Sequence, residues 1–188
     1  MQIFLLSLHP RKNAEYHCDK HVNKMCTETT QILSWVYYNA EGILQLSDKQ
    51  LRAYKKWARP QGFYKFDKGH FNHPCSIWAR KRLQNFQWLL RLGLHFCQEF
   101  EFRYKHKHAC EDIINWMWQN SPDIPFKQGG KLSRFPGVFR EPYDIQVKAE
   151  FPEINNNRQM VKAYRYYYTI KTAHFAKYEK TRKAPKWL

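Results

Sequence analysis

Glu28, Lys24 and His21 stand at intervals that bring a carboxylate, an amine and an imidazole onto one side of a helix. The segment from about Glu15 to Tyr38 reads as that helix, with Asn13 as its cap. At about 3.6 residues per turn, His17, His21, Lys24, Glu28, Gln31 and Trp35 form one stripe. Cys18, Val22, Met25, Thr29, Ile32 and Val36 form a mostly apolar stripe beside it. Such a helix buries one face and offers, on the next, groups suited to acid–base work. The plainer reading is a surface glutamate paired with Lys24 one turn earlier. Spacing alone leaves both open.

Other clusters are less specific. His17, Cys18 and His21 have the i, i+4 histidine spacing of a zinc site, but no second cluster completes it, so no metal is expected. Asn72-His73-Pro74-Cys75 precedes a helix start, where free N–H groups either receive a phosphate or are simply capped. Tyr164-Arg165-Tyr166-Tyr167-Tyr168, followed by Lys171 and His174, is dense in rings and charge. About half of these rings should pack inward, leaving others to face nucleic acid. Arg80-Lys81-Arg82 forms a further basic patch. There is no Walker-type loop, GxGxxG, GxSxG or DxD element, so no nucleotide or dinucleotide cofactor is expected.

The elements that must position these groups are mostly helical. A buried extended segment, Met1 to Leu8, comes first. A short basic helix is expected over Gln50 to Arg59, and an aromatic loop over Phe63 to His73. A second long helix should run from Pro74 to Tyr104, a shorter one from Cys110 to Gln119, and a last one from about Arg158 to Tyr178. Residues 120–156 form a long Pro- and Gly-rich connection, the kind that is usually functional or mobile. Residues 179–188 form a basic tail.

The 188 residues suit one domain with a real core. With 32 basic and 16 acidic residues the net charge is +16, and aromatics make up 17%. Basic residues interleaved with rings favour nucleic acid, since phosphates take the charge and bases stack on the rings. No lipid-seeking helix face and no membrane span is visible. Five cysteines without a CxxC pair suggest reduced thiols in a cytosolic compartment.

Cys18-Asp19-Lys20-His21-Val22, with Glu28 seven residues beyond the His, resembles the opening of the pyrimidine-dimer DNA glycosylases of the phage endonuclease V type. Those enzymes also begin with a short apolar segment, then place Asp-x-His on the first helix and a Glu at this spacing. His73 resembles part of their Gly-His element. The Tyr-Arg-Tyr-Tyr-Tyr run resembles their aromatic, basic C-terminal segment. The likeness covers roughly half the chain, and the Cys-Asp-Lys-His element is also similar to that of phage-encoded proteins of unassigned role.

The resemblance implies that Glu28 is the catalytic carboxylate and that a terminal amine, here of Met1, is the nucleophile. An α-amine of pKa about 7.7–8.0 keeps a neutral fraction at cytosolic pH. It attacks the sugar C1′, the base departs, and an imine to DNA results. His21 and His73 would position the sugar-phosphate, and Lys24, Arg80 and Arg165 would contact phosphates. His17, Gln31, Tyr164 and Tyr168 complete the implied DNA-binding set. Three departures stand out. Residue 2 is a bulky Gln, which should leave Met1 in place. Thr27 and Gln31 occupy positions where the family carries arginines, so phosphate contacts must come from elsewhere, such as Lys24 or Arg11. The stretches 63–69 and 121–151 are additional.

The expectation is an all-α, mostly helical single domain over residues 1–188 with long irregular loops. Its expected function is a DNA N-glycosylase, with or without an abasic-site lyase step. The substrate would be a damaged or modified pyrimidine in duplex DNA. It should be monomeric and cytoplasmic, in the host cytosol if phage-encoded. Two alternatives share the same surface: a non-catalytic nucleic-acid-binding protein, and a base-modifying transferase, whose cosubstrate has no visible motif.

Overall fold

The apolar opening threads through the interior without pairing into a sheet: Ile3, Phe4, Leu5 and Leu6 are all buried. The structure, a computed structural model, describes residues 2–40, 47, 49–50, 52–53, 71–122, 126–127 and 129–188. Met1, most of the helix expected over 50–59 and most of the loop expected from Phe63 lie outside the described residues.

Among the described residues, seven fully described helices follow the thread: α1 (Pro10–Glu15), α2 (Asp19–Ala40), α3 (Pro74–Lys81), α4 (Leu83–Tyr104), α5 (Glu111–Gln119), α6 (Tyr143–Glu150) and α7 (Asn157–Thr172). No strand occurs among the described residues, only an isolated parallel bridge between Arg82 and Lys127. The all-α expectation therefore holds.

Helix α4 is the central post. Both α1 and α2 pack along it, and α3 and α5 also pack against it. Gly93 lets the helices approach closely, since a Cβ there would lie 3.1 Å from both Thr29 Cγ2 on α2 and Ile114 Cδ1 on α5. The thread is tied to α1 by Asn13, whose Oδ1 accepts from Leu6 N–H (2.7 Å) and Ser7 N–H (3.2 Å). Trp88 on α4 donates its indole N–H to the Leu8 carbonyl at 2.7 Å. Asn13 is thus a buried tie within α1, not the cap of the long helix.

Several boundaries differ from expectation. The first long helix begins at Asp19, because residues 16–18 turn between α1 and α2. The second breaks at Arg82, which is extended (φ −142°) between α3 and α4. Buried Asn85 mends the break: its Nδ2 donates to the Trp78 carbonyl and to Ser133 Oγ, each at 2.7 Å, and its Oδ1 accepts from Ser133 N–H at 3.0 Å. The connection over 120–156 contains α6, anchored by the buried Val147. Helix α7 starts where Asn156 Oδ1 accepts from Arg158 and Gln159 N–H, both at 3.0 Å, and it stops at Thr172.

The last residues return across the molecule. Asp19 N–H donates to the Lys177 carbonyl at 2.9 Å. Asp19 Oδ2 accepts from Glu179 N–H (2.8 Å) and Lys180 N–H (3.2 Å), while its Oδ1 pairs with the fully buried Arg103 at 2.9 Å. Arg103 also bonds Glu99 at 2.7 Å, and Arg182 of the tail reaches the same Glu99 at 2.8 Å. The basic tail is therefore strapped down by an ion network at the start of α2.

Candidate active site

Glu28 lies in the middle of α2, where the extended thread crosses it. The residue is only 8% exposed. Oε2 accepts the backbone N–H of Gln2 at 2.7 Å. Oε1 faces Lys24 Nζ at 3.3 Å, and that lysine is largely exposed. The ion pair of the plainer reading exists, but it joins a carboxylate that is sunk against the opening of the chain.

His21 lies two turns earlier on α2. Its ring stacks on Phe4 (5.2 Å, interplanar 21°) and meets the edge of Phe175 at 5.3 Å. The Tyr168 hydroxyl accepts from Cys18 N–H at 2.9 Å and lies 2.9 Å from His21 Nδ1. The hydroxyl keeps its own proton and a second lone pair, so it can pair with either neutral tautomer of the His21 ring. Burial, then the charges of Lys24, Lys171 and Lys20, push the imidazole down to about 3. His21 is thus a neutral hydrogen-bonding group at physiological pH, unable to act there as a cation.

Lys171 reaches the same region from α7. Its ammonium lies 3.2 Å from Gln2 Oε1 and 5.1 Å from the Phe4 ring centroid, a cation–π distance. The arrangement gathers a shielded carboxylate, two lysines, a neutral histidine and the chain's second amide. Such a group can hold a developing positive charge at the carboxylate, with the largely exposed Lys24 available to phosphate oxygens.

The remaining predicted residues are placed differently. His17 precedes α2 and is fully buried, with Nδ1 2.7 Å from the Asn13 carbonyl. Burial holds its pKa well below the usual imidazole value. It packs against Phe96 at 4.9 Å and cannot touch a ligand in this conformation. Tyr164 and Tyr168 are also fully buried. Tyr164 donates to the Pro136 carbonyl at 2.8 Å and accepts from Val138 N–H at 3.0 Å. Their expected role as stacking platforms gives way to internal bracing, because α7 turns three of its tyrosines into the core. His73 caps α3, its Nδ1 accepting from Cys75 N–H at 3.2 Å.

Arg80 donates to the Phe71 carbonyl at 2.5 Å with its guanidinium 3.8 Å above the Phe71 ring. Arg165 donates to the Leu6 carbonyl at 2.9 Å beside Trp187. Both arginines are half-buried and already serve the fold. Gln31 is half-buried on α2. Among the described residues no group of His, Cys, Asp and Glu is arranged to hold a metal, and no helix is long and apolar enough to cross a membrane.

Sequence reasoning missed Gln2, Phe4 and Lys171 as parts of this region. Gln2 was visible only as a departure from a pattern, and Lys171 only as one charge in an aromatic run. Their partners are far away in sequence, so no local spacing could announce them.

A family model described as pyrimidine dimer DNA glycosylase matches residues 1–112. Searches of curated proteins and of solved structures give no match. The matched span holds Gln2, His21, Lys24 and Glu28 and covers more than half of the chain, which belongs to the pyrimidine dimer DNA glycosylase family.

Proposed function

We propose that this protein excises a damaged or modified pyrimidine from duplex DNA and then cleaves the strand at the resulting abasic site. The observation that carries the reading is the shielded Glu28 carboxylate, 2.7 Å from the backbone nitrogen of Gln2. In this reading the attacking amine is that of Met1, the residue joined to that nitrogen.

In this reading the neutral amine forms a bond to C1′ as the bond from C1′ to the base nitrogen breaks. The base leaves with the electron pair and takes up a proton. Glu28 stabilises the cationic sugar as it develops. Ring opening and loss of the amine proton give an imine. Removal of a C2′ proton then expels the 3′ phosphate, and water hydrolyses the imine to free the amine. The target must first leave the stack, at a cost that is smallest for a damaged or mispaired base. Neutral His21 and Lys24 line the approach to the sugar-phosphate.

Borohydride trapping tests this directly. Labelled duplexes would carry a thymine photodimer, an abasic site, a modified pyrimidine or no lesion. A covalent protein–DNA band is expected on at least one lesion, and it should vanish when the N-terminal amine is blocked. Glu28→Gln should bind the same duplex normally while base release slows by about 100- to 1,000-fold. Base release without a band would replace the amine by water. Full activity in Glu28→Gln would remove the carboxylate from the mechanism.

A further inference from the structure

Helix α7 lies outside the family match, yet its side chains hold the opening of the chain. Gln2 is 3% exposed. Its Nε2 donates to the Val138 carbonyl. Its Oε1 lies 3.2 Å from Lys171 Nζ and 3.5 Å from the Tyr167 hydroxyl. The ammonium also contacts that hydroxyl at 3.2 Å and stands 5.1 Å from the Tyr167 ring centroid. A primary amide suits this place, since it donates to a carbonyl and accepts from a cation at once. The backbone nitrogen of the same residue donates to Glu28. Gln2 is thus fixed at its side chain by α7 and the 138 loop, and at its amide by the carboxylate.

We propose that Lys171 is a positioning residue for the glycosylase chemistry: by holding the Gln2 side chain, it orients the first residues of the chain against Glu28. The proposal rests on the functional reading above. It also accounts for a bulky glutamine where a small residue would be expected, because the side chain fills a built socket. Lys171 touches no reacting atom in this role and acts through Gln2. Its effect should be large, since misplacing a reacting group by about 1 Å costs on the order of 100-fold in rate.

The test compares Lys171→Met, Lys171→Arg and Gln2→Met with the wild type on a duplex that the wild type processes. Base release would be followed in single turnovers at saturating enzyme, and the Kd measured for the same duplex. Both methionine variants should lose about 100-fold in rate with little change in Kd. Lys171→Arg, which keeps a cation within reach of Gln2, should recover much of the loss. Thermal melts check folding; should Lys171→Met fail to fold, Gln2→Met, which leaves every charge in place, carries the test. Unchanged rates in the methionine variants would overturn the proposal. So would weaker binding with an unchanged rate at saturation, which would make Lys171 a phosphate contact. A wild type that releases no base from any duplex would overturn the glycosylase reading and this inference together.

Discussion

At the scale of single residues, the neutral state of His21 has a consequence for stability. The folded protein keeps this imidazole unprotonated down to about 3, whereas an exposed histidine in the unfolded chain takes a proton near pH 6.5. Below that value the unfolded chain binds the extra proton, so this contribution is complete above about pH 6.5 and is lost progressively towards pH 3. His17, also depressed by burial, adds with the same sign. The melting temperature should therefore fall as pH drops from 7 to 4, and His21→Gln should flatten that slope; parallel slopes would show that His21 does not contribute. Tyr168→Phe removes the hydroxyl that serves both Cys18 N–H and His21. An unsatisfied buried N–H costs about 1–3 kcal/mol, so this variant should melt lower while still binding DNA. Glu28, Lys24 and His21 were legible in the sequence because they share one helix and its periodicity. Gln2 and Lys171 were not, because their contact spans 169 positions and leaves no local trace.

At the scale of elements, α2 owes its starting geometry to the strap. Asp19 carries the N–H groups of Glu179 and Lys180 on one oxygen and Arg103 on the other. Removing one partner of a buried pair typically costs about 3–5 kcal/mol, because the other charge is left uncompensated. Asp19→Asn should therefore destabilise strongly in chemical denaturation and make the tail more sensitive to proteolysis. A stability loss without tail exposure would mean that the strap holds by other contacts. The long helices were legible from their apolar spacing, but the break at Arg82 was not. Lys81, Arg82 and Leu83 are good helix formers, and the break depends on Lys127 and Ser133, which arrive from far along the chain. Helix α6 was hidden for a similar reason: Val147 is its single buried residue, so it shows almost no apolar period.

At the scale of the whole molecule, the charge is distributed unevenly. Three acidic side chains, Asp19, Glu28 and Glu99, are turned inward against one basic side chain, Arg103, while most of the described lysines are exposed. The surface therefore presents more positive charge than the net +16 alone conveys. Binding that neutralises about six phosphates should weaken by roughly 10³-fold between 50 and 200 mM salt. A duplex Kd that hardly changes over that range would exclude a phosphate-dominated interface. The contact between residue 2 and α7 also bears on when activity can arise during synthesis. A chain still on the ribosome has made Glu28 and its whole helix long before Tyr167, Tyr168 and Lys171 exist. The ring at His21 and the socket for Gln2 then lack their far walls. A nascent protein therefore carries the Glu28 carboxylate early, but the contacts that Lys171 and Tyr167 make with Gln2, and Tyr168 with His21, form only once α7 has emerged.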